Sequence, residues 1–377
     1  MADPATTTLP RDALILVTAA NGLIASHAAD QLLAAGYRVR GTVRDLAKCA
    51  WMTSHFERAY GPNRFELLRV STRDEMTDPA VWDAAFRGVS GVAHVLGAVD
   101  LSVQDVEAAL AEEWPMHAAV LDAAKRASEA EGGLMRGFAF TSSAWAAYTP
   151  DASLRQTLTK DSWNKTALEL SAPANGILVF NPANADPKYV LAPFMALKTR
   201  LEQAFWAWVE REKPKFACNA VLLDTVMGRC LDPAGPQGVP STAGMVRWVW
   251  DGTYRQVLDA IQPQWHIDCG DAGRLYVAAL TQGDVDRERV FGFGERFSWF
   301  QVRRLMMEWY EPDEEIAPVA DLGTDQTDVP NERGAELLRR LGRPDGWTGL
   351  EESLRANMEC IFEAEKAAGK TPRNRKT

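Results

Sequence analysis

Short apolar runs alternate with amphipathic stretches through the first half of the chain. Ala13-Leu14-Ile15-Leu16-Val17 is continuously apolar, as a strand buried on both faces requires. A turn follows, and Ile24, Ala28 and Leu32 then recur at helical spacing up to Gly36. Further strands are predicted over 37–43, 65–70, 91–99 and 138–142. Residues 104–130 read as a helix that Pro115, lacking an amide hydrogen, should kink. An amphipathic run from Lys198 to Trp208 predicts a long helix, and 218–223 a sixth strand. Strands alternating with helices imply an α/β fold built on a parallel sheet. Later elements are short, at 245–250, 272–280, 290–293, 299–309 and 350–362. They do not make a complete sheet alone, so a smaller C-terminal lobe capping the first is expected.

Thr18-Ala19-Ala20-Asn21-Gly22-Leu23-Ile24-Ala25 joins the first strand to the first helix. In a dinucleotide-binding turn, small residues at this three-residue spacing let the chain turn tightly and approach a pyrophosphate at the helix N-terminus. Thr18, Ala20, Asn21, Gly22, Leu23 and Ile24 are therefore candidate cofactor contacts. Ala19 stands where a glycine would suit the turn; at positive φ an alanine costs about 1–2 kcal/mol. An ordinary strand–helix turn without a ligand is the competing interpretation. Arg44, with Lys48 behind it, closes the second strand where an acidic residue would hold the ribose of NAD; two cations suit the 2′-phosphate of NADP instead, or are simply solvated. The architecture expected is a Rossmann-like doubly wound parallel sheet. Its mainly nucleotide-binding domain spans 1–225. A mainly substrate-binding lobe spans 226–365, with some chain crossing between the two, and 366–377 is a basic tail.

The chain has 377 residues, 46% of them hydrophobic, which argues against disorder. Its net charge of −10 disfavours nucleic acid or an anionic membrane as partner and suits a hydrophobic small-molecule ligand, in a monomer or homodimer. Five scattered cysteines without a Cys-x-x-Cys pair read as reduced thiols in a cytoplasmic setting. Five histidines show no ligand spacing, so no metal site is expected. Residues 1–10 do not resemble a secretory signal, and no run approaches the length of a membrane span.

Several stretches together resemble the extended short-chain dehydrogenase/reductases of the NAD-dependent epimerase/dehydratase type. Within them the similarity is to fungal and yeast aldehyde or ketone reductases and to plant dihydroflavonol reductases. Thr18 to His27 matches a family stretch reading TGANGFVASH, and Gly88 to His94 a G-x-x-GVAH strand. Thr141-Ser142-Ser143 matches the active-site strand, Asn219-Ala220-Val221 and Gly228 to Pro233 a later conserved region, and Leu341 to Pro344, Trp347 and Glu351 to Ser353 the C-terminal lobe. In that family a serine polarises the substrate carbonyl, a tyrosine protonates it while NADPH gives hydride, and a lysine lowers the tyrosine pKa. Carried over, the serine is Ser143, with Ser142 as second choice, and the lysine is Lys198. Phe194 stands at the tyrosine position, and a phenyl ring has no proton to give.

The resemblance also implies where the chain departs. Ala19, Ser71-Thr72-Arg73, Leu96, Phe194 and Asp224 each replace a residue that the family keeps beside its dinucleotide. NADP(H) is thus left open by Arg44 and Lys48 and counted against by five departures that the fold would gather at one place. The expected activity is a repurposed non-redox step on a hydrophobic carbonyl compound in specialised metabolism: isomerisation, cyclisation, dehydration or an aldol-type reaction. Ser143, Lys198 and Asp224 would carry it. An NADPH-dependent reductase with a substitute proton donor, Tyr148 or Tyr189, is the alternative; a non-catalytic binder of NADPH or a metabolite is a second. Thirteen tryptophans suggest an aromatic pocket, with Trp145, Phe194, Leu223 and Trp248 as its candidate lining. The proline-punctuated stretch from Thr149 to Pro193 reads as a lid or an ordered surface excursion.

Overall fold

The structure is a computed structural model and describes residues 8–97, 99–172, 186, 189–311 and 318–370. Pro173, Pro182 and Pro187 of the expected lid, and residues 371–377 of the expected tail, lie outside the described residues. Among the described residues there are ten strands: β1 Leu14–Val17, β2 Arg38–Val43, β3 Phe65–Arg69, β4 Val89–His94, β5 Gly137–Ser143, β6 Ala217–Leu223, β7 Thr225–Met227, β8 Gln264–Asp268, β9 Arg289–Gly292 and β10 Glu295–Phe297. Seven of them form a parallel sheet in the order β3-β2-β1-β4-β5-β6-β9. Every β1 residue is buried, as its unbroken apolar run demands. The doubly wound sheet is thus present. The chain moves outward from β1 to β3, then returns to β4 and proceeds the other way, so a crevice opens between the C-terminal ends of β1 and β4. β7, β8 and β10 form a second, three-stranded sheet that the sequence pattern did not reveal.

Two boundaries differ from expectation for physical reasons, and an expected kink is absent. β4 stops at His94 rather than continuing to Val99, because the amides of Val95 and Leu96 both donate to Thr18 Oγ1 (2.8 and 2.9 Å) instead of to a neighbouring strand. The helix expected from Lys198 begins six residues earlier, as Ala192–Glu212. Its first turn is buried all round, which hides helical periodicity, and Pro193 suits a helix start. The helix Val106–Glu129 runs through Pro115 without interruption.

The helix Leu23–Ala34 packs against Cys269–Thr281 at a point where only glycine fits. A Cβ on Gly273 would lie 2.5 Å from the carbonyl oxygen of His27. Gly273→Ala is therefore expected to destabilise the protein by about 1–3 kcal/mol, because the two backbones must separate. A denaturant midpoint unchanged from wild type would refute this packing.

Candidate active site

The crevice widens into an apolar cavity of about 240 Å³ at the C-terminal ends of β1, β4, β5 and β6. At its mouth, Ala19 has φ +52°, so the turn does take the left-handed backbone that glycine would adopt without strain. Ala20 tucks against Gly41, where any Cβ would come within 2.7 Å of the Ala20 Cβ. Gly22 then caps the helix Leu23–Ala34 with no side-chain cap and no acidic residue in the first turn. Its first amides and the positive end of its dipole are left for an anion, a fit to a dinucleotide pyrophosphate. Arg44 and Lys48 are exposed beyond the end of β2, within the same half of the sheet. Of the candidate cofactor residues in this turn, Ile24 reaches the cavity wall, while Thr18 is fully buried and braces the loop after β4.

A polar chain runs behind that loop. Thr18 Oγ1 already accepts two amides, so its proton goes to His94 Nδ1, 3.2 Å away. His94 Nε2 therefore carries hydrogen and donates to His117 Nδ1 at 2.8 Å, and His117 Nε2 in turn donates to Glu113 Oε1 at 3.4 Å. Burial, with His117 beside it, holds the His94 pKa well below its ordinary value, consistent with a neutral ring. The chain ends at the Glu113 carboxylate, whose Oε1 lies 3.7 Å from Lys198 Nζ. Burial draws the Lys198 pKa down, while Glu113 opposes that shift. Lys198 Nζ also sits 5.1 Å from the centre of the Phe194 ring, and both residues line the cavity.

On another wall, β5 and β6 place Ser143 opposite Leu223, so Asp224 follows at the C-terminal end of β6, and both residues line the cavity. Ser143 Oγ accepts the Trp145 amide at 3.2 Å. Ser142 also faces the cavity, but its hydroxyl donates to the buried Glu202 at 2.6 Å, which commits it to the core. Asp224 accepts the amides of Thr225 (2.7 Å) and Trp265 (3.3 Å). Its pKa is nevertheless pushed up to about 8, by burial above all and further by Asp325; the two amides offset this only in part. Tyr148 bridges the two acids, donating to Asp325 at 3.0 Å with Asp224 at 3.5 Å. Burial and both carboxyls raise the Tyr148 pKa well above normal, which disfavours it as a proton donor. Tyr189 instead reaches Asp151 at 3.4 Å.

Trp145 and Phe194 line the cavity and meet edge to face, 5.9 Å between ring centres. The Trp145 indole donates to Gln264 (2.8 Å), which is held in turn by Thr225 (2.9 Å). Leu223 also lines the cavity. Trp248 does not; it packs on Tyr254 at 4.8 Å. The structure thus brings Ser143, Lys198, Asp224, Phe194, Trp145 and Leu223 to one cavity. Sequence reasoning passed over Glu113, His117, His94, Gln264 and Asp325. The four-residue spacing of Glu113 and His117 on a predicted helix was a usable signal; Asp325, remote in a loop, gave none. Among the described residues no group of side chains is arranged to hold a metal, and no helix is long and apolar enough to cross a membrane.

This parallel sheet, with polar groups at the ends of β1, β4, β5 and β6, defines a short-chain dehydrogenase/reductase fold. Residues 15–166 match the pattern of the NAD-dependent epimerase/dehydratase family. Aldehyde reductase 2 of Sporidiobolus salmonicolor is 31% identical over 348 residues, 92% of this chain and 95% of the relative. The ketoreductase AdrE of Penicillium roqueforti is 31% identical over 93% of this chain and 97% of its own. Among solved structures, yeast methylglyoxal/isovaleraldehyde reductase Gre2, complexed with NADPH, superposes with a TM-score of 0.69 at 20% identity, covering 95% of this chain and all of that one (100%). The chain belongs to the NAD-dependent epimerase/dehydratase family of extended short-chain dehydrogenase/reductases and is an enzyme of that fold.

Proposed function

We propose that this enzyme carries out an acid–base transformation of a hydrophobic carbonyl compound, an isomerisation or dehydration without net redox change, in specialised metabolism. The observation that carries this reading is Asp224, a residue lining the same apolar cavity as Ser143, with its pKa raised to about 8. It is largely protonated at neutral pH and serves as an acid where Phe194, in the position of the family's tyrosine, has none to offer. Ser143 and Asp224 hydrogen-bond the carbonyl oxygen. The Lys198–Glu113 pair forms the basic side and removes the proton next to the carbonyl. Asp224 delivers its proton to the enolate oxygen as charge develops there. Return of the proton from the Lys198–Glu113 pair to a different carbon, with the enol proton going back to Asp224, isomerises the compound. Passage of that proton to a β-hydroxyl lets it leave as water while the enol proton returns to Asp224, which dehydrates the compound.

A second reading is favoured by the open N-terminus of Leu23–Ala34, by Arg44 and Lys48, and by the relatives described as reductases. In it the turn Thr18–Ile24 holds the pyrophosphate of NADPH, Arg44 and Lys48 its 2′-phosphate, and Lys198 its ribose. The cofactor would supply hydride, and Asp224 would give the proton to the carbonyl oxygen.

One experiment separates the two. A panel of apolar aryl ketones and aldehydes bearing α-hydrogens is incubated with the enzyme in D2O without nucleotide, and α-hydrogen loss is followed by NMR. Exchange above the blank on at least one compound, lost in Asp224→Asn, is the expected outcome. No exchange on any member, with NADPH consumed on the same panel, would replace the first reading with the second.

A further inference from the structure

Lys198 lies in the second turn of Ala192–Glu212, with its amine on the wall of an apolar cavity rather than in water. Phe194 and Leu201 flank it on the same helix, and the anion that faces it is Glu113. A desolvated primary amine next to a group that can take its proton is a nucleophile as well as a cation. Glu113 is itself held by His117, which His94 holds in turn, and this fixes its carboxylate toward the lysine.

We propose that Lys198 traps apolar aldehydes that enter the cavity as a covalent iminium, with Glu113 carrying the proton. This rests on the reading of the cavity as a carbonyl site and adds a covalent step to it. Glu113 takes a proton from the Lys198 ammonium, and the nitrogen lone pair attacks the carbonyl carbon. The displaced π pair becomes an alkoxide, which collects a proton from the nitrogen to give the carbinolamine. Glu113 returns its proton to the hydroxyl, the C–O bond breaks, water leaves, and the nitrogen lone pair closes the C=N bond. Ammonium and aldehyde have become iminium and water, with no oxidant or reductant consumed, and the iminium remains paired with the Glu113 carboxylate. An iminium also draws electrons from the neighbouring C–H bond more strongly than a carbonyl does.

The test uses the wild-type protein, benzaldehyde and sodium cyanoborohydride at neutral pH, followed by a peptide map. Hydride reduction fixes any iminium as a benzylamine at the lysine that formed it. Lys198 is expected to be labelled several-fold faster than the exposed Lys48, since its amine opens into the apolar cavity next to a carboxylate that can take its proton. Labelling confined to exposed lysines, with the Lys198 peptide unmodified, would overturn the proposal. The outcome is separable from that of the reading it rests on. α-Proton exchange with no Lys198 adduct would sink the iminium alone. An adduct without exchange would support the iminium and sink the acid–base reading.

Discussion

Asp224→Asn is expected to slow turnover of an exchanging carbonyl compound by about 10²–10⁴-fold, the usual worth of a positioned general acid. The amide keeps the shape of the carboxyl and an oxygen for the short Thr225 amide bond (2.7 Å); only the long Trp265 contact (3.3 Å) loses its acceptor, so the fold should survive. Wild-type activity should fall as pH rises through about 8, where the acid loses its proton. Stability should move in the same direction. The folded-state pKa lies above the unfolded value, so the stability that the protonated carboxyl contributes is complete below the unfolded pKa and is lost as pH rises toward about 8. Asparagine does not titrate, so the variant should lose less stability than wild type over that interval. Thermal melts across pH check this without any substrate. A variant with wild-type turnover and an unchanged pH profile would remove Asp224 from the chemistry.

Arg289→Leu is expected to cost about 3–5 kcal/mol, the penalty for stranding a buried charge. Glu202 is fully buried and receives Arg289 through two contacts, 2.6 and 3.1 Å. The guanidinium also holds the carbonyls of Lys160 and Ser162 and lies 4.2 Å from the Trp163 ring centre. Without it, Glu202 keeps only neutral donors, Ser142 at 2.6 Å and Trp206 at 3.0 Å. The loss should appear as a lower urea midpoint. Because Glu202 anchors Ser142 next to Ser143, site geometry should suffer before global unfolding. A midpoint within experimental error of wild type would show that the pair contributes nothing net.

The inner strands of the main sheet were legible as compact, mainly apolar runs, as in Leu14–Val17 and Ala217–Leu223, whereas β2 and β3 mix charged with apolar residues and are only partly buried. Helix starts were less so. Ala192–Leu197 is apolar all round, and periodicity appears only once Lys198 and Arg200 reach a less buried face. The second sheet escaped because β7 and β10 are three residues each, too short for alternation to register. Ser143, Lys198, Phe194 and Asp224 could be picked out because each follows a recognisable strand or stands at a fixed spacing. The groups that set their protonation were hidden by distance along the chain. Glu113 and His117 belong to the helix between β4 and β5, and Asp325 lies about a hundred residues beyond Asp224. What makes Asp224 an acid is burial and a neighbouring carboxyl, and neither is a property of its own sequence neighbourhood.

The proposed chemistry of this cavity depends on a carboxylic acid that stays protonated at neutral pH. Selective 13C labelling of aspartate carboxyls and an NMR pH titration test it directly, with Asp224→Asn assigning the resonance. The signal lost in the variant should titrate near 8 in wild type. A resonance that titrates in the ordinary aspartate range, near about 4, would contradict it and leave the cavity without its proposed acid.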